Sequence, residues 1–299
     1  MSSCKIFSAV FFISIIVISS INHAEDSKNS PDGFTVPESG YIQILITVDG
    51  STNIGRVVKI NERDIEFRTD LGSITIPKEK IRSIREIPES SFRNGKYWFP
   101  DPNTTRLFFA PTGRMLPKGR GYFADYDIFL PSINIGITNN ISLGGGMTIL
   151  PSGSLKNQVY FFTPKIGFKA SQKLNISGGA LMIKIPDFGD DSESPLVNVL
   201  YGVGTYGSPD RSITLGFGYG MVDSKFAEKP LVVLGAEQRL SRRTAFVTEN
   251  WMVPGVSDIL VSYGIRFFSE NLSADLALMN VTGGGVFPGV PYVDFVYNF

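Results

Sequence analysis

Residues 212–221 read SITLGFGYGM. Ile213, Leu215, Phe217, Tyr219 and Met221 take every second position, and Ser212, Thr214, Gly216, Gly218 and Gly220 take the positions between. A period of two is a strand, because successive side chains leave a pleated backbone on opposite faces. The polar half carries the decision. A soluble sheet with one wet face puts Lys and Glu there, whereas this face has only Ser, Thr and Gly. The pattern suits a wall that is apolar on one side without being soluble on the other.

The same alternation recurs downstream. In 141–149, Ile141, Leu143, Met147 and Ile149 oppose Ser142, Gly144, Gly146 and Thr148. In 259–267, Ile259, Val261, Tyr263, Ile265 and Phe267 oppose Ser262, Gly264 and Arg266. In 272–278, Leu272, Ala274, Leu276 and Leu278 oppose Ser273, Asp275 and Ala277. Two segments are less clean: 174–185 carries Lys184 near its end, and in 244–252 Phe246 shares a face with Asn250, and Val247 with Glu249. Between strands, short connections (138–140, 171–173, 207–211, 241–243, 269–271) interleave with longer ones (113–120, 151–157, 186–195, 223–229, 253–258, 282–291). Short turns at one end and long loops at the other characterise a barrel that crosses a lipid bilayer, where the sheet must close because no backbone group can stay unpaired. The expectation is an all-β chain whose residues 104–299 form an antiparallel transmembrane β-barrel of about 12 strands. That count takes 121–137 as one long strand. The apolar phase changes near Pro131, which a β-bulge would explain. Aromatics crowd strand ends, as in Tyr122-Phe123, Trp251 and Phe267-Phe268, where interfacial girdles place them.

The last residues, PYVDFVYNF, put Val293, Phe295, Tyr297 and Phe299 on one face. This resembles the C-terminal aromatic β-signal of bacterial outer-membrane β-barrel proteins. The resemblance implies an outer-membrane location, outer-membrane lipid around the barrel, and barrel insertion machinery that reads these four residues.

The N-terminal third is different. Residues 1–24 have one early charge, Lys5, then an apolar run from Ile6 to Ile18, as in a secretory signal peptide. Cleavage after Ala24 would remove the only cysteine, Cys4, and the only histidine, His23. Ser-His and Cys-His catalysis and His or Cys metal sites are then excluded, and no cofactor is expected. Residues 25–40 read as a polar linker. Residues 41–90 hold strand-like runs at 41–48, 54–60, 64–69 and 73–77 and a closing segment 81–87, joined by turns such as Asp49-Gly50. They resemble Sm-like and SH3-like modules, which implies a small closed periplasmic β-barrel domain with a possible periplasmic partner. Its charges are mixed, and the chain's formal net charge of +0 gives no footprint for nucleic acid. Residues 91–103 read as a connector.

Function is read from the charges placed on inward positions: Asp125, Asp127, Lys165, Lys169, Glu237, Arg239, Arg266, Asp275 and Asp294. Mixed signs fit a narrow polar pore or a small-solute binding and transport barrel, or else a closed lumen whose charges pair. Twelve strands fall between barrels of roughly eight strands, which fill their interior, and about sixteen, which leave a channel. A tight turn at Ser269-Glu270 would set Arg266 opposite Ser273, with Asp275 on the diagonal. Two further readings are a structural anchor whose module binds a partner, and an exported soluble β-protein using Glu237, Glu249 or Asp275. With no nucleophile motif present, the expectation is a protein that is not an enzyme.

Overall fold

The structure is a computed structural model. It describes residues 34–93, 95–150, 155–186, 196–222, 225–284 and 287–299. The expected signal peptide lies outside the described residues. The chain divides into two units that meet between Phe99 and Pro100.

The first unit is a five-stranded antiparallel sheet. Its strands are β1 (Tyr41–Thr47), β2 (Thr52–Ile60), β3 (Asp64–Thr69), β4 (Gly72–Pro77) and β5 (Ile81–Pro88), in the order β4-β3-β2-β1-β5. The β1–β2 turn works as its sequence suggests. Gly50 takes φ +86, which a side chain would disfavour, and Asp49 accepts from Thr47 Oγ1 at 2.5 Å and from Ser51 N at 2.9 Å. The Thr47 hydroxyl is the main reason the Asp49 carboxyl sits below the usual carboxylate range. Leu45, Val57, Ile65, Phe67 and Ile76 form the core under the curled sheet. The expected closed barrel is not complete: among the described residues β4 and β5 share no ladder, and a short 3₁₀ turn at Lys78–Lys80 joins them instead.

The second unit is a closed antiparallel barrel of twelve strands. They are β6 (Gly121–Tyr126), β7 (Leu130–Gly136), β8 (Ile141–Met147), β9 (Tyr160–Phe162 and Lys165–Lys169, broken at Thr163-Pro164), β10 (Leu174–Lys184), β11 (Leu196–Ser208), β12 (Arg211–Val222), β13 (Leu231–Arg239), β14 (Thr244–Met252), β15 (Ile259–Phe268), β16 (Leu272–Val281) and β17 (Val290–Asn298). Each pairs with its neighbour in sequence, and β17 closes the ring on β6 from Asp294↔Tyr126 to Asn298↔Tyr122. Among the described residues the chain has no α-helix. Closure continues to the last residue, since Phe299 and Gly121 exchange N–H···O bonds of 2.9 Å in both directions. Deleting Phe299 should remove both. At roughly 1 kcal/mol per bond the loss is about 2 kcal/mol, read as a lower urea midpoint of the refolded chain. An unchanged midpoint would show that the seam closes without it.

Register sorts the faces. Ile213, Leu215, Phe217 and Tyr219 of β12 are 44–59% exposed, while Ser212 and Thr214 between them are buried. The 212–221 reading therefore holds, with the apolar half outward. Val293, Phe295 and Tyr297 are outward on β17, and Tyr292, Asp294 and Val296 inward.

Two features of the wall depart from expectation. Residues 121–137 are not one bulged strand. They are the hairpin β6–β7, turning at Asp127 and Ile128, whose φ values are +49 and +68. The phase change near Pro131 has another cause: inward Tyr122, Tyr126 and Leu130 are apolar because they face chain inside the barrel, and beyond them outward Ile133 and Ile135 supply the apolar face. Residues 104–112, counted with the barrel on the sequence, are not in the wall. They are that inner chain. One strand lost and one gained leave the count at twelve. With six, seven and seven residues against thirteen in β11, β6, β7 and β8 make a low stretch of wall.

Candidate functional site

Residues 100–120 form an inner strap that crosses the lumen before β6 begins. Its centre is a tight hairpin: Thr112 N donates to Thr105 O at 3.0 Å and Leu107 N to Ala110 O at 2.8 Å, with a bridge between Arg106 and Pro111. A hairpin has two edges of unpaired backbone groups, and in a lumen they must find partners. The barrel strands supply them. Glu249 on β14 takes the N–H groups of Phe108, Phe109 and Ala110 on Oε2, at 2.8, 3.0 and 3.1 Å, and Trp251 Nε1 on Oε1 at 2.6 Å. Thr205 Oγ1 on β11 accepts from Gly113 N at 2.8 Å, and Ser177 Oγ on β10 donates to Thr112 O at 3.2 Å. Gly113 is required here, because a Cβ would stand 2.2 Å from the carbonyl oxygen of Asn175.

Arg266 on β15 is the centre of the polar packing and is 0% exposed. Its Nε and one terminal nitrogen grip Asp275 at 2.7 and 2.9 Å. The remaining donors reach Glu237 at 2.9 Å and the strap carbonyls of Asn103 and Leu107 at 2.7 and 2.8 Å. All five of its N–H groups are thereby used. Around it, Glu237 also accepts from Arg114 at 3.3 Å and Ser212 at 3.2 Å. Asp294 takes Arg106 at 2.7 Å and the Tyr292 hydroxyl at 2.8 Å, and the Arg106 guanidinium lies 4.8 Å from the centre of the Tyr126 ring. Phe109 stacks on that ring from the strap tip, with centroids 5.7 Å apart. A buried charge costs several kcal/mol unless it is paired and hydrogen-bonded. Here wall carboxylates meet strap arginines and strap backbone, so the arrangement is a clamp on the strap and not the lining of a wet pore.

The sequence-named residues divide accordingly. Glu237, Arg266, Asp275 and Asp294 come together in the clamp. Lys165 also faces inward, with Nζ donating to Arg114 O at 2.7 Å and Thr105 O at 3.4 Å. Arg239 lies near the turn end, bonded to Asp210 at 3.0 Å and stacked over Phe268. Lys169 keeps the inward phase but is exposed at that end. Asp125 and Asp127 are not in the lumen. Asp125 pairs in register with outward Phe295, and Asp127 is exposed in the β6–β7 turn, accepting Val293 N at 3.2 Å. The β15–β16 register also differs: Ser269 N donates to Leu272 O at 2.7 Å, so the turn centres on Glu270-Asn271, one residue later than expected, and Arg266 lies directly opposite Asp275 and Phe268 opposite Ser273. Sequence reasoning missed Arg106, Arg114 and Asp101, whose carboxylate lies 3.9 Å from the Arg266 guanidinium. The available signal was two arginines and an aspartate in DPNTTRLFFAPTGR, charges that a lipid-crossing strand would not carry.

No protein-family model and no curated protein sequence matches the chain. Among solved structures, the KdgM porin aligns at 11% identity over 60% of this chain and 95% of its own, with a TM-score of 0.40. The NanC porin aligns at 8% identity over 60% and 96%, with a TM-score of 0.38. The outer-membrane OmpT of Vibrio cholerae aligns at 12% identity over 89% and 100%, with a TM-score of 0.30.

Proposed function

We propose that the chain is an integral outer-membrane barrel whose lumen takes up a small solute, with the strap closing the section below the binding space. The observation that carries this reading is the outward face. A closed barrel that shows Ile213, Leu215, Phe217 and Tyr219 in a row has far more contiguous apolar surface than a soluble protein keeps in water. Lipid is the solvent that such a face fits. The soluble-enzyme reading has no such account, and its carboxylates Glu237, Glu249 and Asp275 are already saturated by the strap and its neighbours.

The remaining parts follow from the same reading. Residues 1–24 direct export. Val293, Phe295, Tyr297 and Phe299 are read by the insertion machinery. The turn end of the barrel and the N-terminal module face the periplasm, since long loops lie outside in such barrels. The module's sheet order and Asp49-Gly50 turn support its likeness to Sm-like folds, and a periplasmic partner is the role left to it.

Two measurements test the barrel. Unboiled chain should run faster on a denaturing gel than boiled chain, because a closed ladder survives mild detergent. Identical mobility and recovery with the soluble periplasmic fraction would sink the reading. Leu215→Arg puts a charge on the outward face in the middle of β12, and should cost about 2–4 kcal/mol in lipid. A substitution with no effect on the urea midpoint would mean that this face meets water.

A further inference from the structure

The strap leaves part of the lumen empty. A cavity of about 400 Å³ lies between it and the inner faces of the wall, within the range of about 300–1,000 Å³ usual for small-molecule sites. Its two sides differ. Along β10 to β14 it is lined by Leu181, Ile183, Val199, Val203, Leu231 and Trp251. Along β7 to β9 the polar groups of Asn134, Ser142, Thr163 and Lys165 line it beside Leu130 and Phe161, and Lys165 brings the one charge of that side. Gly216 and Gly218 sit inward on β12 and leave the space between the two sides open.

Lys165 is the exception among the inward cations. Arg106, Arg114 and Arg266 each hold a carboxylate. Among the described residues no carboxylate pairs with Lys165, whose ammonium donates only to the carbonyls of Thr105 and Arg114. Arg106 also lines the cavity. It is 2% exposed, and its Nε has no hydrogen-bond partner among the described residues. A cation held only by neutral dipoles beside apolar space lacks its anion. A purely apolar ligand would leave that cation unpaired, and an inorganic anion would leave the apolar side empty.

We propose that the cavity binds a single-chain amphiphile with an anionic head, an alkyl carboxylate, with its carboxylate on Lys165 and its chain along Leu181, Ile183 and Val199. The proposal rests on the solute-binding reading above and names its substrate class.

The test uses the full chain in lipid nanodiscs, carrying Trp98→Phe so that Trp251 is the one remaining tryptophan. The probe is 12-bromododecanoate, whose bromine quenches tryptophan on contact, with 12-bromododecanol as the uncharged counterpart. Quenching by the acid should saturate. Lys165→Met should weaken the acid about tenfold or more, the loss of a charge-assisted bond, and leave the alcohol unchanged. Gly216→Phe should abolish saturable quenching by both. A Cβ there meets Val203 and Val233 at ordinary distances of 3.6 and 3.7 Å, so the ring fills the cavity without displacing backbone. Quenching that rises without saturation and survives Gly216→Phe is partition into lipid, and overturns the proposal. Saturable quenching that ignores Lys165→Met overturns it too. The heat-dependent gel shift of the same samples separates the two levels. A shifted sample without saturable quenching overturns the proposal alone, whereas a sample with no shift overturns the barrel reading and the proposal with it.

Discussion

Arg266→Ala should destabilise the folded barrel by about 3–5 kcal/mol, the cost of breaking a buried ion pair from one side. Asp275 would lose both bonds from its partner, the Asn103 carbonyl would lose its donor, and the Leu107 carbonyl would keep only Arg106 at 3.4 Å. Glu237 would keep Arg114 and Ser212. The penalty comes from what is left behind, so its size depends on water. Arg266 is 0% exposed, which favours the full cost. The measurement is a urea titration of chain refolded into vesicles, following tryptophan fluorescence. Replacing both partners, as in Arg266→Met with Asp275→Leu, should recover part of the loss, because no lone charge remains at that pair. A thiol placed by Arg266→Cys, with Cys4 removed, should resist a membrane-impermeant reagent until urea is added. A loss below about 1 kcal/mol, typical of a solvated pair, together with a reactive thiol, would mean a wet lumen and would sink the clamp.

The clamp also explains what was legible in the sequence and what was not. The outward face was legible because lipid asks only for apolarity at every second position, a local demand that 212–221 and 259–267 meet openly. The inward face was legible only where its charges stood alone among small residues, as Arg266 and Asp275 do. Strand 244–252 read as mixed because both of its faces carry polar side chains with specific partners. Inward Glu249 serves the strap, and outward Asn250 bonds to Leu234 O and Thr248. The β6–β7 turn gave no signal, since Asp127-Ile128 holds positive φ without glycine or asparagine, and a β-branched residue there is a rarity that tertiary contacts must enforce. The strap was hidden for a related reason. Arg106-Leu107-Phe108-Phe109 has the apolar content of a strand, yet Arg106, Leu107 and Phe108 are buried inside the lumen, and the backbone of Phe108 and Phe109 is held by Glu249. Pairing between segments more than a hundred residues apart leaves no local mark.

Replacing residues 101–114 with a Gly/Ser segment of equal length should turn a nearly silent barrel into an ion-conducting one. Planar-bilayer conductance of the two chains is the measurement. The strap holds its section through wall groups that would then face water, so the barrel keeps its ladder while the lumen opens. Selectivity follows from the charges exposed. Glu237, Glu249, Asp275 and Asp294 are four wall carboxylates that face the strap, and Lys165 and Arg266 are the two wall cations beside them. Two negative charges are left in excess once Arg106 and Arg114 no longer answer them. The opened pore should therefore prefer cations, most strongly in dilute salt, where the screening length reaches about 30 Å at 0.01 M against 3 Å at 1 M. Adding Arg266→Ala to the same chain should raise that preference, because the strap it clamped is gone and its removal exposes one more uncompensated carboxylate. Equal conductance with and without the strap would show that the strap does not close the lumen. Anion preference in the opened barrel would show that these four carboxylates do not line it.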